Sequence, residues 1–263
     1  MHEGIYIAAS AGIKQSKKME VIAQNLANVN STGYKGDRLA FKELMTPLPP
    51  DKGPEPTKDL LLQTNKSNSN VSYVAVTDQY TDHEPGIMKQ TNSELDMALD
   101  GPGYFSVSTK EGIRYTRNGN FRLNTENQIV NQKGQPVLSE QGKPIVIAAE
   151  GTEISIDSYG NIFVGSGERS ENIGKIKFVD FDNKQTLEKL GDGLFFQSDT
   201  EEDEKPVNDT KLRQGFLEGS NVAATDEMAN MISTLRLFET YQKMIQSIDS
   251  MDDQSVNDIG RVG

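Results

Sequence analysis

Asn25-Leu26-Ala27-Asn28-Val29-Asn30-Ser31-Thr32-Gly33-Tyr34-Lys35 closes the N-terminal segment and decides how that segment is read. Upstream, Ile5, Gly12, Met19 and Leu26 stand seven residues apart, and Ala8, Ile22 and Val29 fall on the companion register. That spacing puts them on one stripe of an amphipathic helix. Gln15 interrupts the stripe. Asn30-Ser31-Thr32-Gly33 then stops the helix, with Gly33 free to take the left-handed cap conformation.

The C-terminal end follows the same logic. Leu237, Tyr241, Met244, Ile248 and Met251 recur at helical spacing, with Met231, Leu235, Phe238 and Ile245 in a second row beside them. Together they make an apolar face wider than a surface helix needs. Ser220 or Asn221 is a candidate N-cap, and Asp226 and Glu227 suit the positive end of the helix dipole. Asp249, Asp252, Asp253 and Asp258 oppose the dipole at the far end, which predicts fraying beyond about Met251.

Between these ends the pattern changes. Residues 46–70 carry Thr-Pro-Leu-Pro-Pro-Asp-Lys-Gly-Pro-Glu-Pro and then a polar run, the composition of an irregular arm. From 71 to 196 short strands alternate with turns. Candidates are 71–76, 104–108, 113–117, 120–123, 128–130, 145–147, 153–156, 161–164 and 175–181. Asn118-Gly119, Lys133-Gly134, Gln141-Gly142 and Tyr159-Gly160 mark turns between them. Residues 199–209 read as an acidic, solvated connection. The expected fold class is mixed and mainly β: an all-β middle with a long helix at each end. The expected segments are 1–35 helical, 36–70 arm, 71–215 β-rich domain and 216–263 helical.

Composition narrows the function. Hydrophobic residues are only 35% of the chain, so part of it lies outside any self-sufficient core. A net charge of -12 argues against nucleic acid, whose binding needs clustered Lys and Arg to displace counterions, and against an anionic membrane surface. The charge is uneven. Lys14, Lys17 and Lys18 make the N-terminal segment basic, while the last turns of the chain are acidic; the two could meet between subunits and set register. Cysteine is absent, which removes disulfides and thiolate sites. No apolar run is long enough to span a membrane, and Met-His-Glu-Gly lacks the basic start and apolar core of a cleaved secretory signal, so departure from the cytoplasm would need another route.

Catalytic chemistry has little to work with. His2 and His83 are the only histidines, so a Ser-His-Asp arrangement would have to use one of them. His83 falls in Thr81-Asp82-His83-Glu84-Pro85, which reads as a solvated loop before it reads as a metal site. Gly101-Pro102-Gly103 is a turn and no phosphate cradle, because Pro102 removes a backbone donor and a strand follows. Carboxylate pairs are a matter of separation in space, and among 39 acidic residues some pair always exists. The two apolar end stripes admit two readings: ordinary core packed on the β-domain, or faces left open in one molecule and buried against neighbours. Periodicity alone does not choose.

Four motifs do. The quoted stretch from Asn25 to Lys35, with Ile22-Ala23-Gln24 before it, resembles the N-terminal signature of the flagellar rod and hook protein family. Leu95-Asp96-Met97-Ala98-Leu99-Asp100-Gly101-Pro102-Gly103-Tyr104-Phe105 and Tyr115-Thr116-Arg117-Asn118-Gly119-Asn120-Phe121 are similar to two internal family segments. Leu217-Glu218-Gly219-Ser220-Asn221-Val222, followed by Glu227-Met228 and Met231-Ile232, looks like its C-terminal signature. The motif residues are Asn25, Leu26, Ala27, Asn28, Gly33, Tyr34, Ser220, Asn221 and Val222.

The resemblance implies a structural subunit of the bacterial flagellar basal-body rod, without enzymatic activity, cofactor, metal or small-molecule substrate. Its partners would be copies of itself, other rod subunits and the flagellar type III export apparatus. The paired end helices would form a coiled coil lining a tube, with the β-domain outside, through Ile5, Met19, Ile22, Leu26, Val29, Met231, Leu235, Phe238, Met244 and Ile248. Folding of the ends would then be coupled to polymerisation. Arg236-Leu237-Phe238-Glu239 is more like the proximal rod subunit of the F type than the distal subunit of the G type. A secreted binding or adhesin module is the alternative from another class.

Overall fold

In the computed structural model, helix α1 spans His2–Ala27, the segment whose sevenfold spacing predicts it. The structure describes residues 2–45, 72–147, 153–165, 170–198, 204–207 and 209–260. The stop is the expected one. Gly33 has φ +66, and a Cβ there would lie 2.4 Å from the backbone of Arg117, so both conformation and space demand glycine. Along α1, Ala8, Gly12, Gln15, Val21 and Ile22 are buried, and Ile5, Met19 and Leu26 are half-buried. Gln15 therefore belongs to the stripe it was expected to interrupt.

Helix α2 spans Ala224–Gly260. It begins after both candidate caps, because the Asn221 side chain is used elsewhere, and Asp226 and Glu227 occupy its first turn. It also continues past the acidic cluster. Dipole opposition is worth only about 0.3–1 kcal/mol per exposed charge, too little to end a helix of this length. The apolar face divides in two. Met231, Thr234, Phe238, Tyr241, Ile245 and Ile248 turn inward at alternating spacings of three and four, buried or half-buried. Met228, Ile232, Leu235, Leu237, Met244 and Met251 remain exposed.

The chain forms two compact units. One comprises 1–23, 39–79 and 228–263; the other comprises 24–38 and 80–227. In the first, a Cβ on Gly4 would meet Ile248 Cδ1 at 3.5 Å, and Lys14 Nζ sits 4.2 Å from the centre of the Phe41 ring. Strands Asp37–Met45 and Ser72–Thr81 pair as a two-stranded sheet, so a strand occupies the start of the span read as an arm. The arm itself, 46–70, lies outside the described residues, as does most of the acidic run at 199–203.

The second unit is built from antiparallel strands. Its largest sheet has six, in the order Leu187–Gly191, Leu194–Gln197, Gly112–Thr116, Tyr104–Thr109, Phe178–Asp180, Lys205–Pro206. Phe105 pairs with Thr116 on one side and Phe178 on the other. Three more strands, Ile154–Ile156, Asn161–Val164 and Glu171–Lys175, form a second sheet. The main core gathers Met97, Leu99, Phe105, Val107, Ile129, Ile147, Ile162 and Ile176; a smaller one gathers Tyr104, Tyr115, Val179, Phe181 and Phe195.

Local readings held where pattern and turn agree, as at Asn161–Val164. The expected strand at 145–147 is instead held by isolated pairings such as Val146 with Gln128, and the expected run at 175–181 breaks between Lys175 and Phe178. The return strands Lys211–Gln214 and Phe216–Glu218 were not foreseen. They pair with Met97–Asp100 and Met88–Gln90, far away in sequence.

Gly119 illustrates why a turn signal can be stricter than it looks. Its φ is not in the left-handed region, yet a Cβ would fall 1.6 Å from the carbonyl oxygen of Met97. Gly119→Ala should therefore cost at least about 3 kcal/mol or abolish the cooperative melt of the β-rich unit. Gly134→Ala, with φ +79 and open space around it, should cost only about 1 kcal/mol. Thermal unfolding of both variants checks the contrast.

Candidate assembly interface and its buried anchor

The four motifs that stand apart in the chain meet at one place in the second unit. Glu218 ends a return strand with its side chain 1% exposed. One carboxylate oxygen accepts from Lys35 Nζ at 2.7 Å and from the Gly86 N–H at 2.9 Å. The other accepts from the Arg117 guanidinium at 3.2 Å. Lys35 also donates to the Glu84 carbonyl at 2.7 Å, and Arg117 to the Gly101 carbonyl at 2.8 Å. A carboxylate so deeply buried is tolerable only because its oxygens are met by cations and an amide.

Asparagines tie the helix ends to this anchor. Asn25, in the last turns of α1, donates to the Asp37 carbonyl at 2.9 Å, and its Oδ1 accepts from the Asp37 N–H and the Tyr34 hydroxyl. Asn221, just before α2, accepts from the Gly36 N–H at 2.7 Å and donates to the Asp82 carbonyl at 2.8 Å. The Gly33 N–H donates to the Glu218 carbonyl at 2.7 Å. Space forbids side chains here: a Cβ on Gly86 would lie 2.1 Å from the Gly219 carbonyl oxygen.

A second ion pair flanks the first. Lys189 Nζ lies 2.8 Å from Asp37 Oδ1, donates to the Lys35 carbonyl at 2.6 Å and stands over the Tyr34 ring. Burial pulls the lysines Lys35 and Lys189 below their usual range, opposed by Glu218 and Asp37 respectively. Burial beside Asp37 pushes the Tyr34 phenol up to about 12. A polar cleft of about 520 Å³ opens beside the anchor, lined in part by Asn28, Thr32, Asn118, Gln132, Lys133 and Lys189. Its charged groups are already committed to partners, Lys133 to Asp192 at 3.3 Å among them.

His83 is not the solvated loop residue its neighbours suggested. Its Nδ1 lies 2.6 Å from the Tyr104 hydroxyl, and its ring packs on Phe195. Burial, with Lys184 and Lys35 nearby, pushes its pKa down to about 4. No group of three or more His, Asp or Glu able to hold a metal occurs among the described residues.

The residues expected at the assembly interface fall into three states. Ile22 is buried; Ile5, Met19, Leu26, Val29, Met231, Phe238 and Ile248 are half-buried; Leu235 and Met244 are exposed. Of the motif residues, Asn25, Gly33, Tyr34 and Asn221 join the anchor directly. Asn28 makes a local turn contact with Ser31, and Ser220 accepts from the Val222 N–H. Lys17 pairs with Glu20 on its own helix at 2.9 Å, and Lys14 Nζ stands over the Phe41 ring. Sequence reasoning missed Lys35, Arg117 and Glu218 as a set. Each stood inside a quoted motif, but nothing in the linear pattern joined them.

Similarity to known proteins bears on these positions. Residues 5–35 match the family described as flagella basal body rod protein, 98–164 the flagellar hook protein FlgE/F/G D1 domain, and 213–259 the flagellar basal body rod FlgEFG protein C-terminal region. The chain is 31% identical to the flagellar basal-body rod protein FlgG of Bacillus subtilis, covering 98% of this chain and 99% of that one. It is 29% identical to the rod protein FlgF of Caulobacter vibrioides over the full length of both. FlgF of Rhizobium meliloti is 26% identical over 99% of each.

Two outcomes follow from the anchor. Glu218→Ala leaves Lys35 and Arg117 buried without a counter-ion and should cost about 3–5 kcal/mol. Combining it with Lys35→Met should cost less than the two single changes added together, as denaturant unfolding of all three variants would reveal. For His83, the unfolded chain takes up a proton near pH 6.5 while the folded chain resists until about pH 4. Its stabilisation is thus complete above pH 6.5 and is lost as pH falls between those values, on the order of 3 kcal/mol in total. His83→Gln should flatten that part of the stability profile, leaving the carboxylate-driven loss at lower pH.

Proposed function

The chain belongs to the flagellar basal-body rod protein family, and we propose that it forms the proximal part of the rod, assembling through its two end helices. It is a structural subunit of the flagellar rod, located in the basal body, where it assembles with other rod subunits. The family is structural and is not an enzyme family. The proximal position rests on Arg236-Leu237-Phe238-Glu239 and on the end-to-end match to an FlgF relative. A distal position is the second reading, favoured by the 31% identity to an FlgG relative.

The single observation that carries the assembly mechanism is the pair of exposed apolar edges of α2. Leu237 and Met244 are 47% and 48% exposed on one edge of the inward stripe, with Met251, while Met228, Ile232 and Leu235 line its other edge. Apolar side chains left open on both edges of one helix mark it as an interaction surface. Neighbouring subunits cover it in the rod, through Leu235 and Met244, while Ile5, Met19, Ile22, Leu26, Val29, Met231, Phe238 and Ile248 close the seam as a coiled coil. Before incorporation the same surface costs the lone helix its support, since an isolated helix in water is marginal. Ordering of the ends is therefore coupled to polymerisation, and the chain leaves the cytoplasm unfolded through the flagellar type III apparatus. No catalysis, cofactor, nucleic acid or small-molecule substrate enters this function.

Leu237→Asp with Met244→Asp separates assembly from folding. Both sites are exposed, so the melt of the β-rich unit should move by less than about 0.5 kcal/mol. Cells carrying the double variant should lose the protein from isolated basal bodies and lose motility. Normal incorporation would remove the edge bearing Leu237 and Met244 from the mechanism. Labelling of the unaltered protein in basal bodies should place it near the membrane-proximal end of the rod; a position next to the hook would favour the distal reading.

A further inference from the structure

Away from the Asn25 junction, the inward stripes of the two end helices are apolar with two buried exceptions. Gln15 is 7% exposed and Thr234 is 1% exposed, and both lie in the unit formed by 1–23, 39–79 and 228–263. Gln15 Oε1 and Thr234 Oγ1 are each buried without a hydrogen-bond partner. One is an amide oxygen that accepts, the other a hydroxyl that donates, so each has what the other needs.

Their positions place them at nearly the same level along the seam. The start of α2 is tied next to the end of α1, since the Asn221 N–H donates to the Tyr34 carbonyl, while Ile248 lies against Gly4 at the other end. The two helices therefore run antiparallel. Counting inward from the Gly4–Ile248 contact at about 1.5 Å per residue, Gln15 lies roughly 17 Å along α1 and Thr234 roughly 21 Å along α2. The difference is less than one helical turn.

We infer that Gln15 and Thr234 form a polar pair that fixes the axial register of α1 against α2 when the seam closes during assembly. The apolar stripe alone cannot do this. Its large and small residues repeat every seven positions, so a slip of one heptad returns apolar groups to apolar surroundings. A slip would, however, strand both polar groups in the apolar seam. A single buried polar layer is thus enough to select one register, at some cost in stability. The role is one of positioning and rests on the assembly mechanism proposed above.

The absence of cysteine makes the register directly readable. Paired substitutions Gly4→Cys with Ile248→Cys report the native register; Gly4→Cys with Tyr241→Cys report a slip of one heptad. In oxidised basal bodies the native pair should form an intramolecular disulfide at least tenfold more readily than the slipped pair. Adding Gln15→Leu and Thr234→Val should erase that preference, and either change alone should erase as much as both. These substitutions favour helix and burial, so circular dichroism should show undiminished helix. Preference retained in the double variant, or single effects that merely multiply, would overturn the inference. If the double variant is left out of basal bodies, the same ratio is read on the purified full chain assembled in concentrated solution, with the same expected loss and the same contrary result. Failure of the rod mechanism itself reads differently: the Cys-bearing parent would then be missing from basal bodies.

Discussion

A carboxylate cannot remain buried and charged unless its counter-ions arrive with it, and in this chain they arrive from opposite ends. Glu218 comes from the C-terminal return, Lys35 from the end of the N-terminal segment and Arg117 from the β-rich middle. None of the three is tolerable in its place without the others. Closing this contact fixes residues 24–38 and 211–227 on the β-rich unit at once, and with them the points where α1 ends and α2 begins. Asn25 and Asn221 then satisfy the backbone that the crossing chains leave unpaired.

The anchor explains a division of labour within the helices. Their junction ends are held by buried hydrogen bonds and ions, which give direction and precision. Their outer lengths carry heptad stripes, which in the proposed assembly supply adhesion. Such a subunit meets its neighbours in that assembly with the starting points of its helices already set, so that only their outer lengths have order to gain when the remaining apolar surface is covered. In the proposed assembly the exposed apolar edges of α2 and the buried anchor act together.

Much of this was legible in the chain. Sevenfold spacing gave both helices, because one face of a helix must be apolar wherever it packs, and Gly33 marked the end of α1. Turn dipeptides located the hairpins of the middle. The pairing of Lys211–Gln214 and Phe216–Glu218 with strands over a hundred residues earlier was hidden, since nothing local specifies a distant partner. Buried ions were hidden for a different reason: Lys35 and Glu218 look in sequence like any surface charges. Gln15 read as a flaw in a stripe, although a polar residue at a seam position is equally a specification of register. His83 read as solvated because its loop is polar, whereas Tyr104 and Phe195 enclose it.

Amide exchange tests the central claim most directly, measured on the purified subunit and on rods isolated intact. The account predicts firm protection of the strands around Phe105 and Ile162 in both samples. It also predicts that α1 before Val21 and α2 beyond Met228 exchange at least a hundredfold faster in the lone subunit than in the rod. End helices already as protected in the lone subunit as in the rod would mean that one molecule satisfies its own apolar faces, and the coupling of folding to assembly would fall.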